Sequence, residues 1–278
     1  MKTVTANLKA TLSILLLAIC ATVYAQKLPG VQPSTGLRAP ANIKIDGKTT
    51  EWDNKFQAYN HATDIFYTMA NDDNNLYLTV QATDAVIAKK ILGGGVKLTL
   101  NKSAKKNDDH PITIMFPVYN AKSYSKTSTL LSKIASNKHN NVNNDSLQYA
   151  INSELAAGEK EIGISGIKDI TDTLISIYNS QGIKAIAQVD NKGALTYELA
   201  VPLKLIGAGE GARLMYNILL KGTKAMNNSH SVTMDDGGTM LVINKKKSDN
   251  ISTAQIIAEY ETLDASTDFW GEYTLAKK

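Results

Sequence analysis

The feature that most constrains this chain is its punctuation. Short runs rich in β-branched and aromatic residues recur along it, and clusters of turn-forming residues separate them. Residues 64–70 (DIFYTMA) and 76–82 (LYLTVQA) alternate in the period of a strand, and Asn71-Asp72-Asp73-Asn74-Asn75 lies between them. Asn and Asp side chains bond their own backbone in tight turns, so the unit reads as a β-hairpin. Further strands are expected at 96–100, 111–118, 160–167, 183–189, 194–201, 213–220, 239–243 and 270–275. Asp190-Asn191-Lys192-Gly193 joins the fourth and fifth of this set, and Pro202 ends the fifth. Helical signals are few. One or two turns are expected over 84–91, ending in Gly93-Gly94-Gly95, which reads as a flexible turn and not as a phosphate cradle. Two short helices are expected near 127–136 and 146–155. Regular crossover helices, which a parallel sheet requires, are missing. The pattern predicts an all-β chain, an antiparallel jelly-roll-like β-sandwich over residues 41–278. A helical or loop insertion is expected at about 103–160. Residues 119–158, rich in Ser, Asn and Lys, read as the least ordered part of it.

The N-terminus carries a different signal. Lys2 and Lys9 precede the apolar run 12–23, and Val23-Tyr24-Ala25 follows with small or aliphatic residues where a signal peptidase reads. Residues 1–25 are therefore expected to be a cleaved signal peptide, with export to the periplasm or the outside of the cell. The run is short of the ~20 residues that span a bilayer, and no later segment is apolar for long enough, so no membrane span is expected after cleavage. Leu17-Ala18-Ile19-Cys20 is the outline of a lipobox, but Ile19 stands where a small residue is usual. Residues 26–40, with Pro29, Gly30, Pro33, Gly36 and Pro40, read as an extended leader. Cys20 is the only cysteine, so the remainder can hold no disulfide or thiolate metal site. The formal net charge is +4, of which Lys2 and Lys9 contribute half. The near-balance that remains gives no footprint for nucleic acid.

One set of motifs is more specific. Ile45-Asp46-Gly47 is followed by Glu51-Trp52, then by Asn71-Asp72-Asp73-Asn74-Asn75-Leu76-Tyr77-Leu78 and Ala82-Thr83-Asp84. This order resembles the N-terminal half of the family 9 carbohydrate-binding module and its DOMON-like relatives. Tyr197-Glu198-Leu199-Ala200-Val201-Pro202 resembles a later strand of the same family. Asp268-Phe269-Trp270-Gly271 resembles the closing strand of secreted members from Bacteroidetes-type bacteria. The resemblance implies a jelly-roll-like sandwich, binding of a polysaccharide or oligosaccharide, calcium in some relatives and haem in some DOMON-like domains.

Several residues are candidates for chemistry. Trp52 and Trp270 are the only tryptophans, and sugar C–H groups stack on such rings, although each can equally be a core residue. Tyr67 is a third candidate ring, on the hairpin. Asp72, Asp73 and Asp84, with Asp46, are candidate calcium ligands, since calcium takes six to eight oxygens from loops. The competing reading of these residues, and of Asp235-Asp236-Gly237-Gly238, is a plain polar turn. The four histidines, His61, His110, His139 and His230, have no ligand spacing, so haem is not expected. Lys245-Lys246-Lys247 reads as a solvated run. No GxSxG, HExxH or P-loop pattern is present. Glu198 and Asp268 are the carboxylates to test for an enzyme, with Glu198 expected to face solvent from an alternating strand. The expected function is an exported non-catalytic carbohydrate-binding module. The alternatives are an envelope interaction domain that has lost the sugar site and, third, a carbohydrate-active enzyme.

Overall fold

The computed structural model describes residues 28–138, 142–168, 170–223, 231–235, 238–242 and 252–278. The expected signal peptide, Cys20, His139, His230, the centre of the Asp235–Gly238 turn and Lys245-Lys246-Lys247 lie outside them. Strands β1 (Ala58–Asn60), β2 (Ile65–Asn71) and β3 (Asn75–Ala82) lead into helix α1 (Ala85–Gly94). β4 (Val96–Asn101) and β5 (Ile112–Phe116) follow, then α2 (Ala121–Asn137) and α3 (Asp145–Gly158), then β6 (Glu161–Ser165), β7 (Leu174–Ser176), β8 (Lys184–Val189) and β9 (Leu195–Pro202). A single turn α4 (Leu203–Ile206) precedes β10 (Arg213–Leu220), the hairpin β11 (Ser231–Asp235) and β12 (Gly238–Val242), α5 (Thr253–Asp264) and β13 (Thr267–Thr274).

Two antiparallel sheets stack as a sandwich. One has five strands in the order β1-β2-β3-β9-β8, the other six in the order β13-β10-β4-β5-β6-β7. The chain starts in the first, crosses through α1 into the second, returns for β8 and β9, and crosses back through α4. The period-2 alternation drives this. Tyr67, Leu78, Tyr197 and Leu199 of one sheet and Leu98, Ile114, Tyr216 and Tyr273 of the other are all at most 1% exposed and meet in one core. Among the described residues no helix is long and apolar enough to cross a membrane.

The inserted helices are part of this core. Leu131 and Ile134 of α2 and Ile151 and Leu155 of α3 are buried in the same cluster, so the segment expected to be the least ordered instead closes one end of the sandwich. Composition misses this because Ser and Thr on α2 turn their hydroxyls onto carbonyls four residues back, as Thr127 does to Ser123 and Ser132 to Ser128. Helix α3 also guards an edge. Asn152 Nδ2 donates to the Val189 carbonyl and its Oδ1 accepts from the Val189 amide, both at 2.9 Å, which satisfies the free side of β8. The glycine run that ends α1 is a site of close approach. A Cβ on Gly94 would stand 1.7 Å from the Lys221 carbonyl oxygen.

Residues 28–40, read as a leader, lie across both sheets. The Met69 amide donates to Gln32 Oε1, and isolated bridges pair Thr35 with Thr274 and Arg38 with Asn71. Asn71, 1% exposed, ties the sheets at that end. Its Oδ1 accepts from the Ala276 amide at 2.8 Å and stands 2.9 Å from the Tyr273 hydroxyl, while its Nδ2 donates to the carbonyls of Asp72 and Ala276. Replacing Asn71 by Ala strands these groups without water. Asn71→Ala is expected to cost about 2–4 kcal/mol, read as a lower denaturation midpoint with an unchanged slope.

Candidate functional site

The two sheets differ in what covers their outer faces. On the five-stranded sheet Thr68, Thr79 and Glu198 point away from the core, yet each is at most 1% exposed. Residues 46–57 roof them. The amides of Asp46 and Gly47 donate to Glu198 Oε2 at 2.9 and 2.8 Å, and the Gln57 amide donates to Thr68 Oγ1 at 3.0 Å. Gly47, at φ 78°, rests on the Gln188 side chain, where a Cβ would come within 2.6 Å. The roof carries Trp52, which is 9% exposed in a 3₁₀ turn. All of β9 is buried as a result. The expectation that Glu198 faces solvent is therefore corrected: it is an internal anchor.

Among the described residues, the outer face of the six-stranded sheet has no such roof, and Trp270, Thr99 and Thr113 are partly exposed there. Trp270 projects there, because Phe269 beside it on β13 turns inward to rings of Tyr67 and Tyr216. Register sets the neighbours. Trp270 lies opposite Asn217 on β10, Asn217 opposite Thr99 on β4, Thr99 opposite Thr113 on β5, and Thr113 opposite Ser165 on β6. One ring and four polar side chains thus form a row across five strands, ~19 Å at the usual strand spacing. A parallel row runs from Asp268 through Leu219, Lys97 and Met115 to Gly163. The polar groups are held in place. Asn217 Nδ2 donates to Asp268 Oδ2 at 2.6 Å and to the Phe269 carbonyl at 3.0 Å, and the hydroxyls of Thr113 and Ser165 are 2.9 Å apart. Arg213 pairs with Glu272 at the end of this face.

The other sequence candidates lie elsewhere. Tyr67 is 1% exposed between the sheets, its ring centroid 4.9 Å from that of Phe269 and its hydroxyl 3.4 Å from that of Tyr216, so it is a core residue with no surface for a ligand. Trp52 is equally covered. The carboxylates do not converge. Asp72 caps the β2–β3 turn, where its Oδ1 accepts from the amides of Asn74 and Asn75 and its Oδ2 from the Tyr77 hydroxyl, each at 2.7 Å. Burial works against the Asp72 charge, but these three bonds outweigh it and hold the carboxyl below its ordinary range. Burial and this bond together push the Tyr77 hydroxyl up to about 12. Asp73 is paired with Arg38 at 2.7 Å and Lys278 at 3.3 Å, which lowers it as well. Asp84 sits at the other end of β3, ~25 Å away at strand rise, as the N-cap of α1. Its Oδ1 accepts from the amides of Val86 and Ile87. Among the described residues no three His, Cys, Asp or Glu side chains are grouped to hold a metal ion. These aspartates fit turn and cap chemistry, not a calcium cage. Glu198 and Asp268 stand on opposite outer faces of the sandwich, so they cannot flank one bond.

Of the open face, sequence reasoning picked out Trp270 and Asp268 and missed Asn217, Thr99, Thr113, Ser165 and Lys97. Their signal was the polar half of each alternating strand. What joins them is register between strands separated in sequence, with Asn217 and Thr99 more than a hundred residues apart.

No family model matches the chain, and no curated protein matches it. Among solved structures it is similar to a carbohydrate binding module of family 9 from Caldicellulosiruptor kristjanssonii, in complex with glucose. The identity is 10%, the match covers 88% of this chain and 96% of that one, and the TM-score is 0.40.

Burial pushes the Glu198 carboxyl up to about 7; the two amide bonds pull it partly back, and the charges of Asp46 and Glu51 push it up again. In the unfolded chain it ionises near ~4.3. Between these values the folded state holds a proton that the unfolded state has lost. The stabilisation is complete below the unfolded value and is lost as pH rises toward 7. Glu198→Gln, which keeps an acceptor for the two amides, is expected to remove this slope. The wild type should lose on the order of 3 kcal/mol relative to the variant between pH 4 and pH 8, measured by denaturant unfolding at each pH.

Proposed function

We propose that this chain is an exported, non-catalytic carbohydrate-binding module that lays a glycan along the outer face of its six-stranded sheet. The observation that carries the reading is the row from Trp270 to Ser165. A pyranose presents C–H groups on its faces and hydroxyls around its rim. It needs an aromatic plane beside fixed donors and acceptors. Trp270 supplies the plane. The hydroxyls of Thr99, Thr113 and Ser165 supply hydrogen bonds along a line, with Lys97 and Asp268 alongside, while Asn217, 5% exposed and with both Nδ2 hydrogens given to Asp268 and the Phe269 carbonyl, holds Asp268 in place beneath them. A line of such groups suits a chain of sugars better than a single one. The ordered motifs that resemble family 9 modules in sequence support the sandwich scaffold on which such a face is built. The basic, apolar and small-residue pattern of residues 1–25 supports export.

The chain from Gln26 onward is expected to be retarded in gels containing a soluble polysaccharide from a panel of glucans, xylans and mannans. Retardation should persist with a calcium chelator, since the aspartates of the β2–β3 turn are engaged by their own backbone. Trp270→Ala, an outward residue of an edge strand, should keep the wild-type melting temperature and lose affinity about tenfold or more. Absence of retardation across the panel with folded protein, or full retardation of the variant, would sink the proposal.

A further inference from the structure

We propose that the cleft between α3 and β8, at the edge of the sandwich remote from β13, is a second ligand site, and that it takes a compact primary ammonium with the Glu159 carboxylate as its counter-ion. The cleft has a volume of about 240 Å³ and apolar walls that include Phe116, Leu155 and Ile177. Glu159 lines it while being only 6% exposed. Among the described residues its carboxyl joins no ion pair. Burial pushes it up to about 7, and the Ser123 hydroxyl offsets part of that. A carboxylate kept from water without a cation is costly, and an incoming cation relieves that cost.

Glu159 is the C-cap of α3, whose last turn holds no basic residue, and Ser123 of the first turn of α2 reaches its carboxyl, so the helix ends of α3 and α2 meet there and, among the described residues, the acid has a hydroxyl but no cation beside it. The charged and titratable groups around the cleft are Lys160 and Tyr178. Lys160 does not neutralise the acid. It is exposed and turned to the rim, with Nζ 3.3 Å from the Tyr178 hydroxyl and 5.4 Å from that ring's centroid. Tyr178, 77% exposed, offers the same face to a ligand cation. The volume admits a ligand of about monosaccharide size.

The probes are glucosamine and glucose, which differ at this scale by an ammonium in place of a hydroxyl, titrated calorimetrically into the chain from Gln26 at pH 6.5. Glucosamine should bind at least tenfold more tightly than glucose. Its heat should depend on the buffer, because Glu159 releases a proton as the ammonium arrives. Glu159→Gln should cost tenfold or more in glucosamine affinity. Lys160→Gln, a surface change that removes a competing cation, should raise it severalfold. Equal binding of the two sugars, or glucosamine affinity unchanged in both variants, overturns the proposal. Trp270→Ala leaves this cleft intact and should bind glucosamine as the wild type does, so failure of polysaccharide binding at the open face is read separately.

Discussion

The contact on which the arrangement of this molecule depends is the grip of Glu198 Oε2 on the amides of Asp46 and Gly47. A carboxylate in the middle of a sheet normally needs water. Here two backbone donors replace the water, and residues 46–57 are drawn down over the strand. The roof buries Thr68 and Thr79 with it. The centre of one outer face of the sandwich is thereby removed from solvent, while among the described residues the opposite face carries no such cover. Glu198 does no chemistry in this scheme. It decides which side of the sandwich does.

The grip is also conditional. A buried acid raised to about 7 stabilises the fold in its protonated form and tolerates ionisation only through the two amides. Gly47 is required beside it, since its positive φ and its contact with Gln188 leave no room for a side chain. The neighbouring end of the sandwich is tied by neutral groups instead, through Asn71, Tyr273 and the Ala276 backbone. A pH-sensitive contact thus fastens the roof to one sheet, and a pH-insensitive one joins the two sheets. With no cysteine beyond Cys20, such contacts and the core carry the stability that disulfides give to many exported domains.

The strands were readable in the sequence because their causes are local. The hairpin of β2 and β3, the whole of β9 and the whole of β10 follow from alternation and turn chemistry. Helix α3 was readable for the same reason, from its apolar spacing. Strand β1, three residues long, and β7, with one inward residue, carry too little pattern to be seen. Helix α5 was missed although Ser252 and Gln255 form a capping box, because the apolar spacing behind it is weak. Burial of Glu198 was out of reach, since alternation says which way a side chain points and not what lies over it. The open face was half readable: Trp270 and Asp268 stood out as residue types, whereas Asn217 and Thr99 become neighbours only through pairing across distant strands.

The residues that make this chain resemble a sugar-binding family are, with the exception of Asp268, Trp270 and the exposed part of the β2–β3 turn, occupied inside the fold. Asp46 and Gly47 hold Glu198, Asp72 closes a turn, Asp84 caps a helix, and Trp52 is sealed under the roof. A motif made of such residues reports the sandwich, because replacing any of them would cost folding. In the proposed binding mode, ligand contacts fall to outward positions that the fold leaves free, such as Thr99, Thr113 and Ser165. Those positions can change without loss of the scaffold. The same argument separates the two proposed sites. The open face draws one residue from a recognisable motif and the rest from unconstrained strand positions, while Glu159 and Tyr178 come from the helical segment and the loop after β7, where the fold demands no acid and no exposed ring. A buried Glu159 with a hydroxyl partner but, among the described residues, no ion pair is a cost that the scaffold does not require, and the proposed cation in the cleft would reduce it.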